Sequence, residues 1–161
     1  MSHDSYPMLV DLSEKHGPQE FGRICQALLE MTLRRANFAT RGRPVERPDI
    51  TAERPHEKYA IEAKVPVRND VELTRRDLDG LKEFASAGVV PMVAVLLVEP
   101  NPRWIMAHAR NLKPGRHNKV ALSAYDVAAL SSEVNTLFPA VLSEQFDLAL
   151  GRGSEGLRSK L

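Results

Sequence analysis

The apolar run at residues 89–98, Val-Val-Pro-Met-Val-Ala-Val-Leu-Leu-Val, constrains this chain more than any other stretch. It is too short to cross a bilayer. It shows no alternation of polar and apolar positions, so as a strand it must be buried on both sheet faces. Such a strand belongs in the middle of a sheet that other elements cover from both sides. With 161 residues the chain can build one domain with a proper core and is short for two. Hydrophobic residues at 43% and charged residues at 27% are those of an ordinary soluble globular protein. No charged-then-apolar leader opens the chain, so a cytoplasmic protein without membrane contact is expected. The single cysteine, Cys25, excludes an intrachain disulfide and a multi-cysteine zinc site. It falls among apolar helical positions and reads as a buried structural thiol.

Around that strand the periodicity predicts an α/β order. Residues 1–17 are polar and irregular up to Gly17-Pro18. In residues 19–37, Phe21, Ile24, Cys25, Leu28, Leu29, Met31 and Leu33 recur at helical spacing, with Asn37 as a left-handed cap. A short strand at 38–40 leads into a loop rich in Arg, Gly and Pro. Strands at 49–52 and 59–65 form a hairpin across a six-residue turn at 53–58. Residues 74–87 are helical and start with a capping box of Thr74 and Asp77. The central strand follows, then the Pro100-Asn101-Pro102 turn and a strand at 104–107. Residues 123–150 make one or two helices, and 151–161 are frayed. The order α-β-β-β-α-β-β-α implies a central mixed sheet flanked by helices.

The chemistry is concentrated in the hairpin. Glu62 and Lys64 are two residues apart on one strand, so both leave the same sheet face, with Ala60. An acid and a base on an otherwise apolar strand are costly unless solvated or liganded. Asp49 begins the partner strand, and the turn brings it close to Glu62. Two carboxylates beside a lysine suit magnesium, which prefers oxygen ligands and keeps waters for use as nucleophile. Lys64 can orient or deprotonate that water, or neutralise charge developing on a phosphate. By itself Glu-x-Lys is a weak pattern, since alternating acid and base are common on exposed strands.

Charge is distributed unevenly on a chain whose net charge is only +1. Residues 34–47 hold Arg34, Arg35, Arg41, Arg43 and Arg47 against Glu46 alone, and residues 103–119 hold Arg103, Arg110, Lys113, Arg116 and Lys119 without an acid. These islands read either as solvated loops or as contacts to a phosphate backbone. Arg41, Arg43, Arg47, Arg76, Arg110, Lys113 and Arg116 are the DNA-binding candidates; Arg43 and Arg47 stand out because arginine clamps phosphate bidentately. Trp104 reads as core, and His108 and His117 lack companions at metal-ligand spacing.

Pro48-Asp49, thirteen residues before Glu62, and then Ile61-Glu62-Ala63-Lys64 resemble the PD-(D/E)XK nuclease signature. The surrounding order is similar to the archaeal Holliday-junction resolvases. The helix ending Arg34-Arg35-Ala36-Asn37-Phe38, the helix around Arg75-Arg76-Asp77-Leu78, the strand Val90-Pro91-Met92-Val93-Ala94-Val95 and then Arg103-Trp104-Ile105 each have a counterpart there, over residues 20–107. The resemblance implies a restriction-endonuclease-like core at 19–119, with a 1–18 extension and an added C-terminal helical segment at 120–161 that packs on the core or in a dimer interface. It implies a magnesium-dependent endonuclease, manganese substituting, acting as a homodimer on branched or distorted DNA. Asp49, Glu62 and the Ala63 backbone carbonyl would hold the metal, and Lys64 would serve the water. The family also places an acid in the first helix; the aligned position here is Gln26, and Glu30, one turn on, is the candidate substitute, with Glu20 weaker. Two other readings stand beside this one: a restriction-, repair- or phage-type nuclease on the same core, and a catalytically impaired DNA-binding module, which Gln26 motivates.

Overall fold

The computed structural model describes residues 4–42, 48–85 and 88–161. Its elements run α1 (Ser5–Arg35), β1 (Ala39–Gly42), β2 (Ile50–Arg54), β3 (Glu57–Lys64), β4 (Asp70–Leu73), α2 (Arg75–Phe84), β5 (Val90–Leu97), β6 (Arg103–His108), β7 (Gly115–Asn118), a short 3-10 helix (Ala121–Tyr125) and α3 (Ala128–Arg158). The main sheet has the order β1-β2-β3-β5-β6. Only β3 and β5 run parallel, and the crossover between them carries β4 and α2. The apolar run thus forms β5 between β3 and β6, with seven of its eight residues buried.

Each sheet face buries its own core. Ile50, Ala52, Ile61, Met92, Ala94, Leu96, Trp104 and Met106 pack with α1 and α3. Ala60, Val93, Val95, Leu97, Ile105 and Ala107 pack with Leu78 and Leu81 of α2 and with Val71 and Leu73 of β4. Alternation along the strands sorts residues between the two cores, so Glu62 and Lys64, in phase with Ala60, fall on the α2 side. Trp104 is 1% exposed and stacks edge-to-face on Phe138 at 5.9 Å, a core role. Cys25 is fully buried, which pushes its thiol pKa up. No helix among the described residues is long and apolar enough to cross a membrane.

Four expectations need correction. Residues 5–16 are helical: α1 starts at Ser5 and only breaks at Gly17, whose φ of 78° is open to glycine, with Pro18 after it. Leu9 and Leu12 supply the burial there, in one core with Phe138, Val141 and Leu142 of α3. The chain end is not frayed either. α3 continues to Arg158 past a break at Gly153, and Gly153, Ser154, Gly156 and Leu157 are buried. The two helix breaks are tied together: Glu20 accepts from the Ser154 N–H at 2.8 Å, and the His16 ring Nε2 lies 3.0 Å from the Ala149 and Leu150 carbonyls. The hairpin turn is Pro55-His56 alone, with His56 at φ 67°, because Glu53, Arg54, Glu57 and Lys58 all pair in the ladder. Finally, β4 and β7 form a second, two-stranded sheet that periodicity did not show. Elsewhere expectation and structure agree: Asn37 takes φ 73°, and Thr74 and Asp77 form both halves of a capping box.

Candidate active site

Register brings the signature residues together. In the antiparallel β2–β3 ladder Ile50 faces Ile61, and one step beyond that last pair Asp49 comes opposite Glu62. There the strands part. The N–H of Ala63 has lost its strand partner and donates instead to Asp49 Oδ2 at 2.9 Å. That bond fixes the Asp49 carboxylate at the open end of the hairpin, 5% exposed, beside Glu62 at 1%. In a strand the N–H and C=O of one residue leave the same edge, so the Ala63 carbonyl leaves toward Asp49.

Lys64 lies between two acids. Its Nζ donates to Asp77 Oδ2 at 3.0 Å and stands 3.7 Å from Glu62 Oε2. Asp77 itself is fully buried and accepts the Thr74 N–H at 3.0 Å, while its own N–H donates to Thr74 Oγ1 at 3.0 Å. Burial pushes the Asp77 carboxyl up, but the Thr74 N–H and the Lys64 ammonium outweigh it, and its pKa lies below its ordinary value. Three buried carboxylates, Asp49, Glu62 and Asp77, therefore share this face with one ammonium among the described residues. The sequence pattern marks Asp77 as part of a helix cap. Its place in the capping box was legible; its contact with Lys64 depends on α2 packing over β3.

Glu30 is elsewhere engaged. Buried to 1% exposure, it accepts from the Thr40 hydroxyl at 3.1 Å and lies 3.6 Å from Arg34 and 3.5 Å from Arg158. Gly42 of β1 leaves it room: a Cβ there would overlap Glu30 Oε1 and reach within 2.7 Å of the Arg158 guanidinium. Gln26, one turn earlier, has its amide nitrogen buried without a hydrogen-bond partner among the described residues. Glu20 holds the break in α3. No three His, Cys, Asp or Glu side chains among the described residues group as a metal site.

The basic candidates divide by place. Arg41 on β1 is opposite Thr51, which is opposite Ala60, so it shares the face of Glu62. It is exposed, as is Arg76 in the first turn of α2, next to Asp77. Pairing of β4 with β7 sets Gly115 opposite Leu73 and Arg116 opposite Glu72, which carries Lys113 and Arg116 toward the start of α2. Arg110 is exposed just before that loop. Arg43 and Arg47 lie outside the described residues.

Comparison with known proteins identifies the family and the fold. The family model of the archaeal Holliday junction resolvases (Hjc) matches residues 32–141, from the last turn of α1 into α3. The match runs further toward the C-terminus than the sequence resemblance did and starts beyond Gln26 and Glu30. Among solved structures, Archaeoglobus fulgidus Hjc, a Holliday junction resolvase from an archaeal hyperthermophile, superposes with a TM-score of 0.53 at 23% identity, over 65% of this chain and 89% of that one. No curated protein sequence matches. The chain belongs to the archaeal Holliday junction resolvase family, within the PD-(D/E)XK superfamily, and is a DNA-binding, Holliday junction resolvase-like nuclease.

Proposed function

We propose that the chain cleaves four-way DNA junctions with magnesium, manganese substituting, and that it acts as a homodimer. One observation supports this reading: Asp49, bonded to the Ala63 N–H, lies one step past the last β2–β3 pair, at the register position opposite Glu62, and Lys64 stands 3.7 Å from Glu62. The donor set is oxygen only, two carboxylates and the Ala63 carbonyl, which fits a hard divalent cation and not a softer metal. When bound, such a cation supplies Lewis-acid polarisation and a more acidic water. The chain's own residues do the rest. Asp49 is held by the Ala63 N–H and so keeps its place without rearrangement. Lys64, as an ammonium, faces the negative charge that develops on the phosphoryl oxygens as the phosphodiester is attacked. Arg41 on the same face, and Arg76, Arg110, Lys113 and Arg116 around the start of α2, contact backbone phosphates, which sets orientation without reading base sequence. Arg43 and Arg47, shortly before Asp49 in the sequence, belong to the same proposed set of phosphate contacts. Glu30, already neutralised by two arginines, takes no part in cation binding. Two copies around a two-fold axis match a junction with two equivalent strands.

The test is cleavage of a four-way junction beside a linear duplex of the same sequence, with and without magnesium. Paired, symmetric nicks in the junction alone, and only with the cation, are expected. Equal cutting of both substrates, or of neither, overturns the assignment.

A further inference from the structure

A lysine side chain has four rotatable carbons and a compact charge, so it delivers that charge to one place only if something fixes it. Here the fixed point is Asp77. Its Oδ2 receives both the Thr74 N–H and Lys64 Nζ, each at 3.0 Å. The reciprocal bond from the Asp77 N–H to Thr74 Oγ1 completes the cap at the first turn of α2. α2 is in turn anchored to the sheet by the buried Leu78 and Leu81. A chain of contacts therefore runs from the core through the first turn of α2 to the lysine of the site. Glu62, at 3.7 Å, is the more distant of the two acids from Lys64.

We infer that Asp77 is a positioning residue for the cleavage reaction: the capping box of α2 holds Lys64 Nζ at the phosphate, so the helix cap and the catalytic lysine are one unit. This rests on the role given to Lys64 above. It assigns Asp77 neither to the cation nor to DNA.

The test uses the full chain and a four-way junction with magnesium. Asp77→Asn keeps an acceptor for the Thr74 N–H but removes the charge that holds Lys64. Its kcat is expected to fall about tenfold or more, as for a misplaced catalytic group. KM, the magnesium midpoint and Tm are expected to stay near wild type. Asp77→Glu keeps both cap and charge and is expected to recover most of the loss. Thr74→Ala removes the hydroxyl half of the cap but leaves the carboxylate and the Thr74 N–H, so Tm is expected to fall with a kcat loss well below that of Asp77→Asn. In a Lys64→Gln background Asp77→Asn is expected to cost nothing further. Wild-type kcat in Asp77→Asn, equal kcat losses in Asp77→Asn and Thr74→Ala, or a full further loss on top of Lys64→Gln overturns the role of Asp77 alone. Full activity of Lys64→Gln overturns the reading of the lysine as well.

Discussion

Two glutamates, Glu30 and Glu62, are equally buried at 1% exposure and have different neighbours. Glu30 is met by two guanidinium groups, Arg34 and Arg158, and by the Thr40 hydroxyl. Glu62 lies one step past the last β2–β3 pair, at the register position opposite Asp49, and shares Lys64 with Asp77. A buried acid that is over-supplied with cations is a structural tie. Glu62 lies instead at the parted end of the hairpin, beside a lysine that a second acid holds, where we propose that a cation from outside binds. The contrast separates scaffold from site more sharply than burial does, because burial is the same for both.

The first way to break the comparison is Glu62→Gln. Junction cleavage is expected to fall about a thousandfold, the scale for removing a group that acts on transition-state charge. Thermal unfolding should change little beside that loss, since the amide keeps the shape of the side chain. A large loss of Tm would place Glu62 with Glu30 as a structural residue. Glu30→Gln should do the reverse. It leaves Arg158 and Arg34 facing a neutral amide, and because those side chains are 24% and 40% exposed the cost is below that of a fully buried pair, about 2 kcal/mol in urea unfolding. Turnover per folded molecule is expected to be unchanged.

Gly153→Ala sharpens the structural side of the contrast. Its φ of 65° with ψ −155° is strained for alanine, and the new Cβ would overlap Glu20 Oε2, which caps Ser154. A loss of about 1–2 kcal/mol is expected, again without change in turnover. The smallest effect concerns Arg54, which ties Glu57 of the hairpin to Glu133 of α3. Hydrogen bonding to Arg54 holds both carboxyls below their ordinary values. A depressed folded-state pKa contributes stability above the unfolded value, about 4.3, that is lost as pH falls through the lowered one. Glu133→Gln should therefore make the acid limb of stability against pH slightly shallower, and it leaves neutral-pH stability nearly unchanged because both acids are about a third exposed.

What could be read from the chain follows from how far apart the interacting residues are. Glu62 and Lys64 on one face, Asp49 at the end of the paired strand and the box of Thr74 with Asp77 all depend on spacings of two to thirteen residues, which strand and helix periods govern. The double burial of 89–98 was legible for the same reason. The tie of Glu20 to Ser154 spans 134 residues, and no local period records it. Residues 5–16 offer only Leu9 and Leu12 as fully buried apolar anchors, too few to mark a helix until α3 lies against them. β4 and β7 are four residues each, with charged or polar residues at the exposed positions, and acquire strand character only from each other. The ion pair of Glu30 with Arg158 spans the length of the chain in the same way and leaves no local pattern.

The most direct measurement is isothermal titration of magnesium into the wild type, Glu62→Gln and Glu30→Gln. Binding is expected in the wild type and in Glu30→Gln, and absent in Glu62→Gln. Binding that survives in Glu62→Gln and vanishes in Glu30→Gln would contradict the assignment of the cation to the hairpin site.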